Sequence, residues 1–270
     1  MNIQKTNRDG MRIAFSLRLV YYISKEQERI KNMAMQRLDK TIASTGRWSR
    51  REVKLLVKEG RVLVDGYPAR SAEDKVDPAV NAIEVDGENI GYREFTYIML
   101  HKPAGLLTAT EDKRQETVMD LLTPDLRRLS LAPVGRLDKD TEGLLLITND
   151  GDLAHRLLAP KSHVDKVYYA ELESPLGEED CAAFEQGIML GDGYECMSAG
   201  LTLLEDGRKV LITLREGKFH QVKRMVAARG SAVQYLKRLS MGPLRLDETL
   251  ERGEYRFLTP EEIISLGGTC

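Results

Sequence analysis

The segment Gly135-Arg-Leu-Asp-Lys-Asp-Thr-Glu-Gly-Leu-Leu-Leu-Ile-Thr-Asn-Asp-Gly151 joins a charged loop to an apolar run that reads as a buried strand. Such a junction holds a reactive side chain on a rigid element while its tip meets solvent. Asp138 sits where a nucleophilic carboxylate would sit. A carboxylate in a loop also suits a turn or a cap, and Asp138 with Asp140 could instead chelate a divalent ion, as in a metal-dependent nuclease. Other chemistries have less support. His101, His155, His163 and His220 form no i, i+4 pair and have no cysteine partner, so a zinc site is not signalled. The phosphate loop Gly-x-x-x-x-Gly-Lys-Ser/Thr, the fingerprint Gly-x-Gly-x-x-Gly and the turn Gly-x-Ser-x-Gly are all missing from the sequence. Nucleotide hydrolysis, dinucleotide chemistry and serine hydrolysis are thereby disfavoured.

Elements able to hold the Asp138 loop surround it in the sequence. Leu144 to Thr148, Val167 to Leu172 and Lys209 to Leu214 read as strands, and Phe95 to Leu100 as an apolar strand closed by His101-Lys102-Pro103-Ala104-Gly105. Glu178 to Gln186 and Gln221 to Arg229 read as helices. Strands and helices do not alternate strictly, so 95–266 is expected to form an α+β domain with a largely antiparallel, mixed sheet flanked by helices. Upstream, Leu38, Ile42 and Ala43 recur at helical spacing, and Ser49-Arg-Arg-Glu52 is a capping box ahead of a second short helix. Arg61 to Gly66 and Ala82 to Gly87 read as strands that each end in an Asp-Gly turn. These make a separate small domain over 35–92, with a hinge at Gly91 to Glu94. Residues 1–34 read as a flexible extension or an upstream start, and make a poor secretory signal.

The 270 residues, 42% apolar and 30% charged, suit one large domain or two smaller ones with real cores. No apolar run approaches the roughly 20 residues of a bilayer span, so no membrane partner is expected. Three cysteines without a Cys-x-x-Cys pair signal neither a disulfide framework nor a zinc ribbon, and a reducing cytoplasm is the expected setting. A net charge of −2 hides strong segregation. Met1 to Arg70 carries 16 basic against 7 acidic residues, and Arg208 to Arg238 carries 9 against the single acid Glu216. Such patches bind a polyanion locally while the whole chain stays near neutral. Around the small helix pair, Arg47, Arg50, Arg51, Lys54 and Lys58 suit phosphate contacts in a segment too small for an active site.

Arg37-Leu-Asp-Lys40, Ser49-Arg50-Arg51 and Glu59-Gly-Arg-Val-Leu-Val-Asp-Gly66 resemble the small RNA-binding domain named after ribosomal protein S4, over about 60 residues. Gly135-Arg-Leu-Asp138 with Thr141 to Gly151 resembles the signature segment of the pseudouridine synthases. Lys166-Val-Tyr168 and Glu216-Gly-Lys-Phe-His-Gln-Val-Lys-Arg-Met225 are similar to that family's second and third motifs. The resemblance implies an S4-like domain followed by a pseudouridine synthase domain. It implies a nucleophile at Asp138, an active-site tyrosine at Tyr168, a motif-three cation at Lys223, and at Arg136 a side chain that holds the RNA open. Lys223 supplies the opposite charge that favours a carboxylate beside it, and Tyr168 can stack on a flipped uracil and move a proton. The implied RNA-contacting set is Arg136, Arg37, Lys40, Arg47, Arg50, Arg51, Lys54, His220, Gln221 and Arg224. His220-Gln-Val-Lys-Arg-Met225 and the tail from Met241 to Arg256 resemble the small-subunit (16S) rRNA type more than its large-subunit (23S) cousins. A non-catalytic ribosome-assembly binder is the rival of another class. An isomerisation requires no redox or group-carrying cofactor, and no metal ligands are expected. The implied partner is rRNA, bare or in a partly assembled small subunit, and the enzyme is expected to act as a monomer.

Overall fold

The computed structural model describes residues 35–78, 80–90, 94–159, 162 and 164–268. The expectation for residues 1–34 and most of the hinge at Gly91 to Glu94 lie outside them, as does His163. Two compact units divide the chain, Met1–Tyr92 and Arg93–Cys270.

In the first unit β1 (Gln36–Arg37) leads into α1 (Leu38–Ala43) and α2 (Arg50–Lys58), followed by β2 (Val62–Val64), β3 (Tyr67–Pro68), β4 (Lys75–Val76), β5 (Ile83–Val85) and β6 (Glu88–Asn89). The capping box is present: the Ser49 amide donates to Glu52 at 2.6 Å and the Glu52 amide donates to the Ser49 hydroxyl at 3.3 Å. Strands run antiparallel in the order β3-β2-β5-β6, and β1 pairs with β4. Both Asp-Gly pairs turn hairpins with positive φ at both residues, 51° and 79° at Asp65 and Gly66, and 55° and 79° at Asp86 and Gly87. This is the geometry that Asp-Gly tolerates and most pairs do not. Leu38, Ile42, Val53, Leu56, Val62, Val76, Ile83 and Val85 close one apolar core.

The second unit is built on a nine-stranded sheet. Its elements are β7 (Tyr97–Lys102), α3 (Pro124–Arg127), β8 (Ala132–Pro133), β9 (Glu142–Thr148), α4 (Gly151–Leu158), β10 (Lys166–Leu172), α5 (Glu178–Gln186), β11 (Gly200–Leu204), β12 (Lys209–Leu214), α6 (Gln221–Ala228), β13 (Val233–Met241), β14 (Leu244–Arg245), β15 (Tyr255–Phe257) and α7 (Pro260–Ser265). The main path is β11-β12-β10-β13-β9-β7-β15, with β14 on β13 and β8 on β9. Every pairing is antiparallel except β13 with β9, which meet only at Lys237↔Glu142 and Arg238↔Gly143. The expected α+β class with a mixed, largely antiparallel sheet is what forms.

Strand β9 shows why Leu144 to Ile147 is continuously apolar. Leu145 and Ile147 belong to the cluster that includes Phe184, Val222 and Met225, whereas Leu144 and Leu146 belong to the cluster with Leu153, Leu157 and Leu258. Successive side chains face opposite sides, and both sides are covered, so no polar alternation survives.

Candidate active site

Asp138 lies in the loop between β8 and β9, where the Thr141 amide donates to the Asp138 carbonyl and closes a tight turn. That turn is fixed from beneath by a lysine at the end of β7. Lys102 has no exposed surface, and its Nζ donates to the carbonyls of Pro103 (2.9 Å), Lys139 (3.2 Å) and Thr141 (2.9 Å). Three donors meet three acceptors, which is the whole capacity of an ammonium. Burial pushes the Lys102 pKa down to about 8, against the pull of Asp140, Glu142 and Asp138 in the opposite direction. From the other side the Thr108 hydroxyl donates to the Leu137 carbonyl at 2.8 Å and accepts from the Leu137 amide at 3.2 Å. At the exit of the loop Gly143 has φ +104°, and a Cβ there would meet the Arg238 carbonyl oxygen at 2.2 Å. Only glycine lets β9 and β13 approach at this point.

The wall facing Asp138 comes from β10 and the start of α6. Asp138 and Tyr168 line a cavity of about 60 Å³ together with Arg136, Thr141, Glu216 and His220. The Tyr168 ring is buried in the larger apolar cluster, and its hydroxyl has no hydrogen-bond partner among the described residues. Thr141 Oγ1 is buried and likewise unpartnered among the described residues. The Asp138 carboxylate is 26% exposed and accepts no hydrogen bond among the described residues, but His220 Nε2 and Lys223 Nζ each stand 3.6 Å from it. Arg136 is exposed and makes no ion pair among the described residues.

Lys223 differs from expectation in its main partner. Its ammonium bonds both oxygens of Asp140, at 2.5 and 2.7 Å, and only stands near Asp138. The Asp140 carboxyl is held below the usual range by that bond. The ammonium sits between the two carboxylates, in the place a chelated divalent ion would need, which disfavours the nuclease alternative. Gln221 also differs. It is buried, its Nε2 donates to Glu216 at 2.6 Å, and its Oε1 accepts from the Lys218 amide at 2.9 Å. Glu216 in turn accepts from the Tyr194 hydroxyl and the Met197 amide. Both ends of the Gln221 amide are thus engaged inside the 216–221 loop, so Gln221 shapes that loop at the edge of the cavity it helps to line. Arg224 is paired with Asp192 at 2.5 Å.

Sequence reasoning passed over Lys102, Thr108 and Thr141. The one available signal was a lysine followed by proline at the end of an apolar strand, since a charge there must find partners or escape to solvent.

The small unit's basic residues are largely engaged within it. Asp39 is 1% exposed and accepts from Arg37 and Arg50, while Arg37 also reaches Glu73. Arg47 pairs with Glu88, and Lys54 lies 3.7 Å from Glu73. Lys40 and Arg51 have no ion pair among the described residues.

Comparison with known proteins agrees with this geometry. Residues 96–228 match the family described as RNA pseudouridylate synthase, and residues 36–80 match the S4 domain. An RNA pseudouridine synthase of Bacillus subtilis, YtzG, is 52% identical over 230 residues, spanning 84% of this chain and 96% of that protein. The ribosomal small subunit pseudouridine synthase A of Vibrio parahaemolyticus is 41% identical over 233 residues, spanning 85% and 99%. A crystal structure of a pseudouridylate synthase superposes with a TM-score of 0.61 at 37% identity, covering 86% of this chain and 99% of that one. An aspartate held on a clamped loop, in a chain that also carries an S4 domain, therefore finds its family: this chain belongs to the RNA pseudouridine synthases, a family of isomerases.

Proposed function

We propose that this chain isomerises a specific uridine of small-subunit (16S) rRNA to pseudouridine, with Asp138 as the nucleophile acting on a flipped-out base. The observation that carries the reading is the state of the Asp138 carboxylate. It is clamped through its backbone, free of hydrogen bonds at its oxygens among the described residues, and opens on a cavity shared with Tyr168. The Vibrio relative, named for the small ribosomal subunit and aligned over 85% of this chain, supports the choice of RNA.

The target base must leave its stack at a cost of a few kcal/mol. Arg136, exposed at the cavity and without an ion pair among the described residues, suits the RNA backbone opened around it. In the reaction the bond from C1′ to N1 breaks, the uracil turns, and a bond from C1′ to C5 forms. The proton lost from C5 is matched by one gained at N1, so no electrons are exchanged and no redox cofactor is required. Asp138 assists at the sugar or the ring, and the Tyr168 hydroxyl, unpartnered among the described residues, relays a proton beside it. The cavity, about 60 Å³, is far smaller than the roughly 300–1,000 Å³ of ligand sites, so side chains at its mouth move aside when the base enters.

Carbodiimide-adduct primer extension on 16S and 23S rRNA, incubated with wild type and with Asp138→Asn, tests the reading. One stop in 16S rRNA with wild type alone is expected. A stop only in 23S rRNA would overturn the substrate, and a stop that persists in the variant would overturn the nucleophile.

A further inference from the structure

Phe219 is 69% exposed, an unusual state for a phenylalanine, and it adjoins the reactive centre. Its ring stacks on His220 with centroids 3.8 Å apart and planes 17° from parallel. His220 Nε2 is in turn 3.6 Å from Asp138, so the stack stands one ring away from the carboxylate. One face of the phenyl ring is occupied by the imidazole, and the high exposure of the residue leaves the other face to solvent.

The backbone holds this arrangement in place. His220 has φ 48° and ψ 35°, the left-handed region that non-glycine residues rarely occupy. A residue kept in that region must be over-determined by its surroundings, and such strain gathers at functional sites. Here the Glu216–Gln221 hydrogen bond and the Lys218 amide bond to Gln221 fix the loop from inside, while Arg224 Nη1 donates to the Phe219 carbonyl at 3.4 Å. Lys218 lies over the Tyr194 ring at 4.7 Å. The aromatic is presented by a braced loop rather than by a free one.

Placement decides what it meets. Gly217, Lys218 and His220 line the Asp138 cavity, whereas Phe219 does not. A base entering the cavity therefore meets Asp138 and Tyr168 and leaves Phe219 to a different nucleotide. Exposed aromatics flanked by cations are the standard means of holding single-stranded nucleic acid, because every base offers a π-face. The cations of this region are Arg136, which has no ion pair among the described residues, Lys218 over the Tyr194 ring, and Lys223 and Arg224, which are paired with Asp140 and Asp192. We infer that the Phe219–His220 stack is a platform for an unpaired nucleobase of the substrate RNA next to the flipped uridine, making Phe219 a substrate-positioning residue outside the reaction chamber. The inference rests on the pseudouridine synthase reading of Asp138 but not on which rRNA is modified.

The test starts from the rRNA fragment and uridine that primer extension identifies, so a failure of the functional reading shows itself first, as the absence of any modified uridine. 2-Aminopurine then replaces each nucleotide flanking that uridine in turn, and fluorescence is read on binding to wild type, Phe219→Leu and Phe219→Tyr. Stacking predicts quenching at one flanking position with wild type and Phe219→Tyr, and its loss with Phe219→Leu. KM should rise about 10- to 100-fold in Phe219→Leu, with the saturated single-turnover rate within about threefold of wild type and Phe219→Tyr close to wild type. Unchanged KM and quenching in Phe219→Leu would overturn the inference. So would a fall in the saturated rate at constant KM, which would mark Phe219 as a prop for His220. Equal behaviour of Leu and Tyr variants in binding would point to a merely apolar contact, such as a protein surface, and would also overturn it.

Discussion

Asp39 and Asp138 each stand beside two basic side chains, one pair in each unit, and they are treated in opposite ways. Asp39 is buried, and Arg37 and Arg50 hydrogen-bond both of its oxygens. Burial pushes its carboxyl up, but the bonds from the two arginines outweigh burial and hold it below its usual range. Asp138 keeps His220 and Lys223 3.6 Å away, just beyond hydrogen-bonding distance, and receives its rigidity through the backbone instead. A carboxylate whose lone pairs are all engaged is a structural post. One whose main chain is clamped and whose oxygens are open keeps its lone pairs available, as the nucleophile role proposed for Asp138 requires.

The largest expected effects come from removing each carboxylate's charge. Asp138→Asn should lower the single-turnover modification rate by at least about a thousandfold while leaving the thermal midpoint unchanged, because no hydrogen bond among the described residues is lost. Asp39→Asn should do the reverse: a loss of about 1–3 kcal/mol in urea unfolding of the full chain, with the saturated rate retained. Asp39 also predicts a pH dependence. Its folded pKa is depressed, so its contribution is present above the unfolded value of about 3.9 and disappears as pH falls through the folded value. A low midpoint for Asp138→Asn together with a slow but stable Asp39→Asn would break the comparison.

Lys102 sharpens it, since its ammonium is what lets Asp138 be rigid without being hydrogen-bonded. Lys102→Met leaves the carbonyls of Pro103, Lys139 and Thr141 without a donor, and the released turn should cost about 100-fold in rate. With the folded pKa at about 8, the unfolded chain binds more protons between that value and about 10.4. Stability relative to Lys102→Met should therefore rise with pH across this window. The modification rate of the wild type should fall over the same window, because a neutral amine turns a lone pair towards one carbonyl. Parallel urea and rate profiles from pH 7 to 10 check both trends, and stability and activity falling together would contradict the assignment.

How far these roles could be read from sequence depends on the range of the interaction. Helix α5 and strand β12 lie where the pattern places them, and both Asp-Gly turns form, because local periodicity and turn chemistry decide them. Helix α6 ends one residue before the expected Arg229, and β9 begins two residues before Leu144 because Glu142 and Gly143 pair with β13. Asp138 stands out because a charged loop abuts an apolar strand. Lys102 does not, since two of the carbonyls it caps are 37 and 39 residues away. The choice of Lys223 between Asp138 and Asp140 is equally invisible, because both acids are far from it in the chain and differ only in loop geometry. Gln221 carries a polar side chain at a helix start, which sequence alone reads as a surface contact. Only the fold shows Glu216 receiving it.

Thr108→Val probes the same clamp more gently. The substitution keeps the shape and removes both bonds to the Leu137 backbone, a change of about 1–2 kcal/mol confined to the residue before Asp138. A rate about tenfold lower at unchanged KM for the rRNA fragment is expected. A rise in KM alone would place Thr108 in substrate binding.

The smallest effects belong to the basic face of the S4 unit, where the comparison separates residues of the same charge. Arg50 serves Asp39, so Arg50→Ala should lower stability by about 1 kcal/mol as well as weaken RNA binding. Lys40 and Arg51 are free of ion pairs among the described residues, so Lys40→Ala and Arg51→Ala should leave the unfolding midpoint alone. Each should reduce the slope of log K against log salt by about 1 for every phosphate that the side chain neutralises. Filter binding of the rRNA fragment across a salt series, beside urea unfolding of the same variants, distinguishes the two kinds of basic residue. A salt slope that Arg51→Ala leaves unchanged would remove that residue from the RNA-facing set, and a lowered midpoint would place it with Arg50 among the residues that hold the unit together.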